Sequence, residues 1–240
     1  MSELSQLRKD LKALSTVARA KGSAKYFKTG KGEYGEGDIF LGVTVPDTRK
    51  IAKKYRSLFP EDLYELARSK FHEERLCALL ILVGQYSKAK TDQERIELFE
   101  FWLMLLRENY VNNWDLIDTS APYLGEILSR PLGYNAEFIH GLAKSENLWE
   151  RRASIMLTFA LIRIKKFGPT KAIARDLLND KHDLIHKAVG WMLREMGNRD
   201  KQELIKFLDQ YKNQMPRTML RYAIEKFDEE ERQQYLRRLF

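Results

Sequence analysis

The sequence predicts an all-α protein, a curved solenoid of stacked antiparallel helix pairs with a concave basic groove. Three observations lead to this prediction. Strand patterns are nearly absent, apolar residues recur at helical spacing along almost the whole chain, and one pattern returns every 34 or 35 residues. Two-helix repeats of this length stack side by side and place equivalent positions on one face.

The helical periodicity divides into thirteen expected helices: about 2–20, 46–57, 60–68, 72–88, 91–109, 113–129, 134–144, 148–166, 169–179, 182–197, 200–213, 216–227 and 229–238. Four prolines fit first-turn positions, where no backbone donor is lost: Pro46, Pro60, Pro169 and Pro216. Three polar residues are suited to cap a helix start: Thr91, Asn113 and Asn147. The longest apolar run, Cys77 to Val83, is typical of a buried helix.

Residues 26–42 interrupt the helical pattern with five glycines. Gly30, Gly32 and Gly35 have GxGxxG spacing, but no strand pattern precedes them, and the GxxxxGK[ST] spacing of a phosphate loop is absent. We therefore expect a long loop or a short hairpin at about 28–42, within a single domain that spans residues 1–240.

The composition limits the classes of function. The chain has 240 residues, a net charge of +8 and a pI near 9.4, which favours a polyanionic partner. It has no apolar run of the roughly 18–20 residues that a membrane span needs, and no signal peptide is expected. One cysteine excludes an internal disulfide, and the pair His182 and His186 lacks a third metal ligand. We expect a cytoplasmic protein without a metal or a cofactor.

The repeat aligns four segments: NWDLIDTSAPYL, LWERRASIMLTF, DLIHKAVGWMLR and RTMLRYAIEKF. Asp118, Arg152, Lys187 and Arg221 then occupy one column, at intervals of 34, 35 and 34 residues. A basic column is compatible with a solvated helix face, since lysine and arginine are mostly exposed. Its regular spacing favours a groove that binds a polyanion.

Asp115 and Asp118 follow Trp114 in the stretch NNWDLIDTSAP. Asp115 falls in a first helical turn, where the macrodipole and free amides favour a carboxylate. Asp118 lies beyond that turn and shares a face with Trp114. Two explanations stay open for Asp118: an ion pair with Arg152 or Lys187, or stabilisation of a developing cation.

The four tryptophans divide into two groups. Trp102 and Trp149 are expected in the core, as helical tryptophans usually are. Trp191 follows Lys187 by four residues and shares its face, so Trp114 and Trp191 flank the acid on the column face. Indole faces attract cations. The pattern predicts a cationic or planar ligand held between two indoles, over a carboxylate, in a basic groove.

The segments NNWDLIDTSAP, LWERRASIM, HKAVGWMLRE, FLGVTVPDTRKIAKKY and MPRTMLRYAIEKF resemble the signature segments of the AlkD-like DNA alkylation repair glycosylases. The resemblance implies a solenoid of HEAT-like repeats with DNA in its concave groove. The catalytic residues of that family correspond to Trp114, Asp118 and Trp191 of this sequence. It also implies an active-site arginine at Arg152, a tyrosine near the lesion at Tyr26, and contacts to the DNA backbone at Arg49 and Arg194.

The implied activity is hydrolysis of the N-glycosidic bond of N3- or N7-alkylated purines in double-stranded DNA, without a metal and without a base-flipping pocket. We expect a monofunctional enzyme that acts as a monomer at the nucleoid. The first alternative is a non-catalytic protein that binds branched DNA, because the Gly-rich segment Lys28–Asp38 is longer than in the best-known members of the family. The second alternative is a helical-repeat protein scaffold.

Overall fold

The computed structural model describes residues 2–237, and these residues form fifteen α-helices, one 3-10 helix and no strand. A single isolated bridge joins Ile39 to Phe71. The prediction of an all-helical fold is therefore confirmed. Contacts divide the chain into two compact units, Met1–Ser120 and Ala121–Phe240, with the boundary inside one helix.

The helices that begin in the first unit are α1 (Glu3–Ala13), α2 (Val17–Tyr26), α3 (Val45–Lys54), α4 (Pro60–Ala67), α5 (His72–Tyr86), α6 (Asp92–Arg107) and α7 (Trp114–Leu124). Helix α5 lies at the centre of this unit and packs against α1, α3, α4 and α6. The apolar run expected to be buried belongs to α5, and most of its side chains are inaccessible to solvent. Burial of this run supplies much of the apolar core of the unit.

The second unit contains a 3-10 helix (Gly125–Ser129) and α8 (Ala136–Ala143), α9 (Leu148–Leu157), α10 (Phe159–Arg163), α11 (Gly168–Asp176), α12 (Asp183–Arg199), α13 (Lys201–Tyr211), α14 (Arg217–Ala223) and α15 (Glu229–Leu236). Helix α12 is central here and packs against α9, α10, α11, α13 and α14. Each unit is thus organised around one long helix with shorter helices packed on it.

Most of the expected helix starts have the predicted physical cause. Thr91 forms a capping box with Glu94 at the start of α6, and Asn147 accepts a hydrogen bond from the Trp149 amide at the start of α9. Three of the four prolines occupy the first turn of α3, α4 and α11. Pro216 differs, because it is the N-cap residue of α14 and precedes the first turn.

Two predicted helices are divided in the structure. The segment 2–20 breaks after Ala13, because Thr16 accepts a hydrogen bond from the Arg19 amide and starts a new helix there. The segment 148–166 breaks at Thr158, whose hydroxyl donates to the Ile155 carbonyl. Hydroxyl side chains that bond to nearby backbone compete with helical continuation. The predicted helix 113–129 also differs from the structure, since its last part, Gly125–Ser129, is the 3-10 helix.

Residues 27–44, between α2 and α3, form turns and bends up to residue 37 and irregular backbone from 38 to 44, with no paired strands. We call this segment the Gly-rich loop. Gly42 has a φ of 80°, and a Cβ at this position would lie 2.2 Å from the Thr16 carbonyl oxygen. Only glycine combines that backbone conformation with so close an approach. In the described part of the chain, no helix has the length and hydropathy to cross a membrane.

Gly190 in α12 provides a test of the close packing of α12 on α14. A Cβ at Gly190 would lie 2.5 Å from the Met219 carbonyl oxygen and 2.5 Å from the Tyr222 Cβ. We expect Gly190→Ala to lower the free energy of unfolding by about 1–3 kcal/mol, because the two helices must separate. Urea denaturation at neutral pH measures this change.

Gly141→Ala in α8 is the matched control, because a Cβ there meets nothing within 4 Å. It should stabilise the protein by about 0.5–1 kcal/mol, the usual gain in helix propensity. Equal stabilisation by both substitutions would contradict the close approach of α12 and α14.

Candidate functional site

Helix α7 begins at Trp114, and its start is fixed by the preceding residue. Asn113 is fully buried. Its Oδ1 accepts a hydrogen bond from the Trp114 amide at 2.8 Å, and its Nδ2 donates to Oδ2 of Asp38 at 2.9 Å. Asn113 therefore attaches the first residue of α7 to the Gly-rich loop.

The exposures of the four tryptophans follow the division expected from the sequence. Trp102 and Trp149 are core residues, with 0% and 6% of their surface exposed. Trp114 and Trp191 are each half-buried. The two indoles expected at the site are thus the two that keep surface available for a ligand.

Two aromatic rings of the first unit pack against the Trp114 indole. Phe27 stacks on it with centroids 5.3 Å apart and an interplanar angle of 19°. Tyr26 meets it edge-on, at 6.0 Å and 71°, and remains 66% exposed. The structure therefore brings the predicted residues Tyr26 and Trp114 together in one aromatic cluster.

Asp115 lies in the first turn of α7 as expected, but it also has a specific partner. Nε2 of His72 lies 2.8 Å from Oδ2 of Asp115, and Nδ1 of the same ring lies 3.0 Å from Oδ2 of Asp38. His72 is 2% exposed. The helix macrodipole is therefore only part of the reason for an acid at position 115, and the ion pair with a buried histidine is the other part.

The pKa values of His72 and of its carboxylate partner Asp38 depend on each other's charge. Burial opposes protonation of His72, but the charge and hydrogen bond of Asp115 outweigh it and raise the pKa of His72 to about 9. Asp38 also pairs with Arg75. Burial opposes ionisation of Asp38, yet its hydrogen bond from His72 and the charge of Arg75 hold the pKa of this carboxyl below its ordinary value. The result is two carboxylates and two cations in close contact.

The first turn of α5 carries four consecutive charged side chains, all of them buried: His72, Glu73, Glu74 and Arg75. Glu73 accepts hydrogen bonds from the amides of Leu41, Gly42 and Val43, at 2.8, 2.8 and 3.2 Å. Glu74 pairs with Arg8 of α1 at 3.1 Å. This cluster is not among the features predicted from the sequence, although four charged residues directly before a long apolar run are a pattern that could indicate it.

Asp118 lies one turn after Trp114 on α7 and is half-buried. The other members of its column differ in their surroundings. Arg152 is 4% exposed, and its Nη1 donates to the Leu184 carbonyl. Lys187 pairs with Asp183 at 2.7 Å, whereas Arg221 is exposed on α14. Among the three basic members, only Arg221 is thus an exposed residue.

The two arginines suggested by the resemblance also differ. Arg49 is exposed on α3. Arg194 pairs with both Glu225 and Glu195, and Glu195 also accepts a hydrogen bond from Trp191 Nε1 at 3.1 Å. A phosphate that contacts Arg194 has to compete with two carboxylates. A phosphate at Arg49 meets no such competition, since no residue between 2 and 237 forms an ion pair with Arg49.

His182 and His186 make hydrogen-bond contacts at the start of α12. His182 Nδ1 accepts a hydrogen bond from the Leu184 amide, and His186 Nε2 contacts the Asp180 carbonyl. Within residues 2–237, no group of three or more histidine, cysteine, aspartate or glutamate side chains is arranged to hold a metal ion.

The pH dependence of stability tests the charged state of His72. Its folded-state pKa of about 9 lies above the ordinary value of 6.5. The stabilisation is therefore complete below pH 6.5 and is lost as the pH rises through 9. We expect the free energy of unfolding to fall by up to roughly 3 kcal/mol over this range, measured by urea denaturation. His72→Gln should remove that dependence, and a native protein equally stable at both pH values would contradict a buried imidazolium.

Comparison with known proteins places the chain in a family. The model of the family described as "DNA alkylation repair enzyme" matches residues 7–227. A solved structure titled "Predicted DNA alkylation repair enzyme from Enterococcus faecalis" aligns with a TM-score of 0.69 and 15% identity, over 90% of this chain and 97% of that chain, which supports the fold alone. Among curated proteins, none matches. Because the family model covers most of the sequence, this protein belongs to the family of DNA alkylation repair enzymes.

Proposed function

We propose that this protein is a DNA glycosylase that hydrolyses the N-glycosidic bond of cationic N3- or N7-alkylated purines in duplex DNA. Its products are the free alkylated base and an abasic site. The observation that supports this most directly is on α7, where the half-buried Asp118 follows the half-buried Trp114 by one helical turn. A carboxylate beside an indole is suited to a reaction that develops positive charge.

The substrate needs little help to lose its base. Alkylation at N3 or N7 gives the purine a positive charge, so the electron pair of the C1′–N bond neutralises the base as it leaves. No general acid is required to protonate the leaving group. The positive charge then resides on the deoxyribose, as in the oxocarbenium-like transition state of other glycosidic reactions.

Asp118 is the group proposed to stabilise that charge. An ionised carboxylate near C1′ lowers the energy of the developing cation and orients the water whose oxygen bonds to C1′. The proton released by that water passes to solvent. Trp114 offers an aromatic face for the cationic base. Trp191, which the resemblance assigns to the same catalytic set, remains its third proposed member.

The DNA backbone is the proposed partner of the exposed cations. Phosphate contacts supply most of the affinity for duplex DNA and position the protein on it. Arg49 and Arg221 are exposed and suited to this role. Lys187 and Arg194 already have carboxylate partners, so their contribution depends on the exchange of those partners for phosphate. Arg152 is buried, so it is less suited than these residues to contact phosphate.

Asp118→Asn tests the proposed chemistry. The substitution keeps the size of the side chain and removes its charge. On duplex DNA that contains one N7-methylguanine, without added metal, we expect the single-turnover rate of base release to fall about 10²-fold or more. DNA affinity should stay equal or rise, because a negative charge leaves a surface that binds phosphate.

Glu137→Gln is the matched control, because Glu137 is exposed in the first turn of α8 and is not among the proposed site residues, so this variant should act as the native protein does. Asp115→Asn is not suitable as a control, since Asp115 binds His72. An active Asp118→Asn variant would refute the assignment of this carboxylate. Tight binding of branched DNA by a native protein that releases no base would favour the non-catalytic alternative.

The salt dependence of binding tests the backbone contacts. The slope of log affinity for undamaged duplex against log salt changes by about 0.9 for each phosphate contact. We expect Arg49→Ala and Arg221→Ala each to flatten the slope by about that amount, and Lys187→Ala to change it less, because Asp183 already compensates its charge. Arg163→Ala, an exposed cation outside the column, should leave the slope unchanged. A native slope near zero would exclude this mode of DNA binding.

A further inference from the structure

We propose that the Gly-rich loop is a clamp that positions Trp114, acting through Asp38 and Phe40 on a protonated His72. Asp38 and His72 are then positioning residues, since they act on the site through the start of α7. This inference rests on the proposed function only for the role of Trp114 in base release. The clamp itself consists of contacts within the first unit.

The C-terminal end of the Gly-rich loop is attached to the first turn of α5. The carboxylate of Glu73 accepts three consecutive loop amides, those of Leu41, Gly42 and Val43. Glu73 is 3% exposed, so this attachment is shielded from water. Hydrogen bonds to a buried carboxylate are among the stronger ones in proteins. The attachment holds the preceding residues of the loop, which include Asp38 and Phe40, close to the first turn of α5.

Asp38 then joins three donors that come from two other parts of the unit. His72 Nδ1 at 3.0 Å and Arg75 both belong to α5, and Asn113 Nδ2 at 2.9 Å precedes α7. The side chain of Asp38 is 5% exposed. Because Asn113 also accepts the Trp114 amide, a shift of Asp38 is transmitted through two hydrogen bonds to the residue that carries the indole.

The ring of His72 must donate from both nitrogens. One nitrogen faces Asp38 and the other faces Asp115, at 3.0 and 2.8 Å. A neutral imidazole has one N–H, so its other nitrogen would turn a lone pair towards a carboxylate oxygen, whereas the imidazolium donates to both carboxylates. The charged groups that face His72 are Asp38 of the loop, Asp115 of α7 and Arg75 of its own helix. With His72 protonated, these four groups carry no net charge.

A continuous series of rings links this cation to the indole. Phe40 stacks on His72 at 4.6 Å and 24°, and Phe27 stacks on Phe40 at 5.1 Å and 18°. Phe27 also stacks on Trp114 at 5.3 Å and 19°. An imidazolium against an aromatic face is favourable. The loop thus supports the indole from two sides: through Asp38 and Asn113 on the backbone, and through Phe40 and Phe27 on the ring.

Asp38→Asn is the primary test, with Glu36→Gln as the control. Glu36 lies on the same loop, is exposed, and only accepts the Gly32 amide. The first measurement is the NMR titration of the histidine ring protons, with His72 assigned by loss of its signal in His72→Gln. In the native protein and in Glu36→Gln, His72 should titrate near 9. In Asp38→Asn the midpoint should fall by at least about one pH unit, because a counter-charge is lost.

The second measurement is the rate of base release at saturating DNA, which distinguishes a positioning role from a purely structural one. At a temperature where all variants are folded, Asp38→Asn should release N7-methylguanine about tenfold more slowly at saturating DNA, with a change in Kd below about twofold, as expected for a misplaced catalytic group. Unchanged single-turnover release in the folded variant would overturn the positioning role. A His72 midpoint that is the same in all variants would overturn the clamp.

A second variant keeps the test decisive if Asp38→Asn does not fold. Phe40→Leu preserves every charge and removes the ring that stacks on both His72 and Phe27, so it should slow base release while His72 still titrates well above its ordinary value. Normal release by a folded Phe40→Leu protein would overturn the role of the ring series. If the native protein releases no base at all, the proposed function fails, and the His72 titrations still decide whether the clamp exists.

Discussion

The contact on which the first unit depends is the imidazolium of His72 between the carboxylates of Asp38 and Asp115. Buried charges destabilise a protein unless each has a partner of opposite sign and its hydrogen bonds are satisfied. The first turn of α5 buries four charged side chains in succession, so this turn is stable only when its partners are in place. Those partners come from α1, from the Gly-rich loop and from α7. The start of the most buried helix is thereby coupled to the start of the helix that carries Trp114 and Asp118.

Because of this coupling, the two neighbouring aspartates have different roles. Asp115 forms an ion pair with His72 and thereby helps to position α7. Asp118, one turn beyond Trp114, remains half-buried. Two acids three residues apart therefore occupy different environments, although both belong to the same short helix. The proposed chemistry uses the second acid, which shares a face of α7 with Trp114, and the first acid helps to fix the position of that helix.

The basic residues show why net charge alone is a weak guide to DNA contacts. The chain carries an excess of eight positive charges, yet its candidate contact residues differ in their freedom to meet a phosphate. Arg152 is buried, Lys187 and Arg194 have carboxylate partners, and Arg49 and Arg221 are exposed. A cation that already has a partner loses that interaction when it binds phosphate, so it adds less to affinity than an exposed one.

The sequence by itself determined the helical class, most helix boundaries, and the division of the tryptophans into core and half-buried residues. These features follow from local rules: the period of apolar residues, caps such as Thr91, and prolines in first turns. It did not reveal the division of the segment 2–20, where Thr16 competes with the helix for backbone hydrogen bonds. Only the tertiary structure decided that Asp115 binds His72, that Asp38 of the Gly-rich loop binds both His72 and Asn113, and that Arg152 is buried. These contacts join residues between 32 and 75 positions apart. No periodicity within one helix encodes such a pairing, because it exists only once distant segments pack together and exclude water from the charges between them.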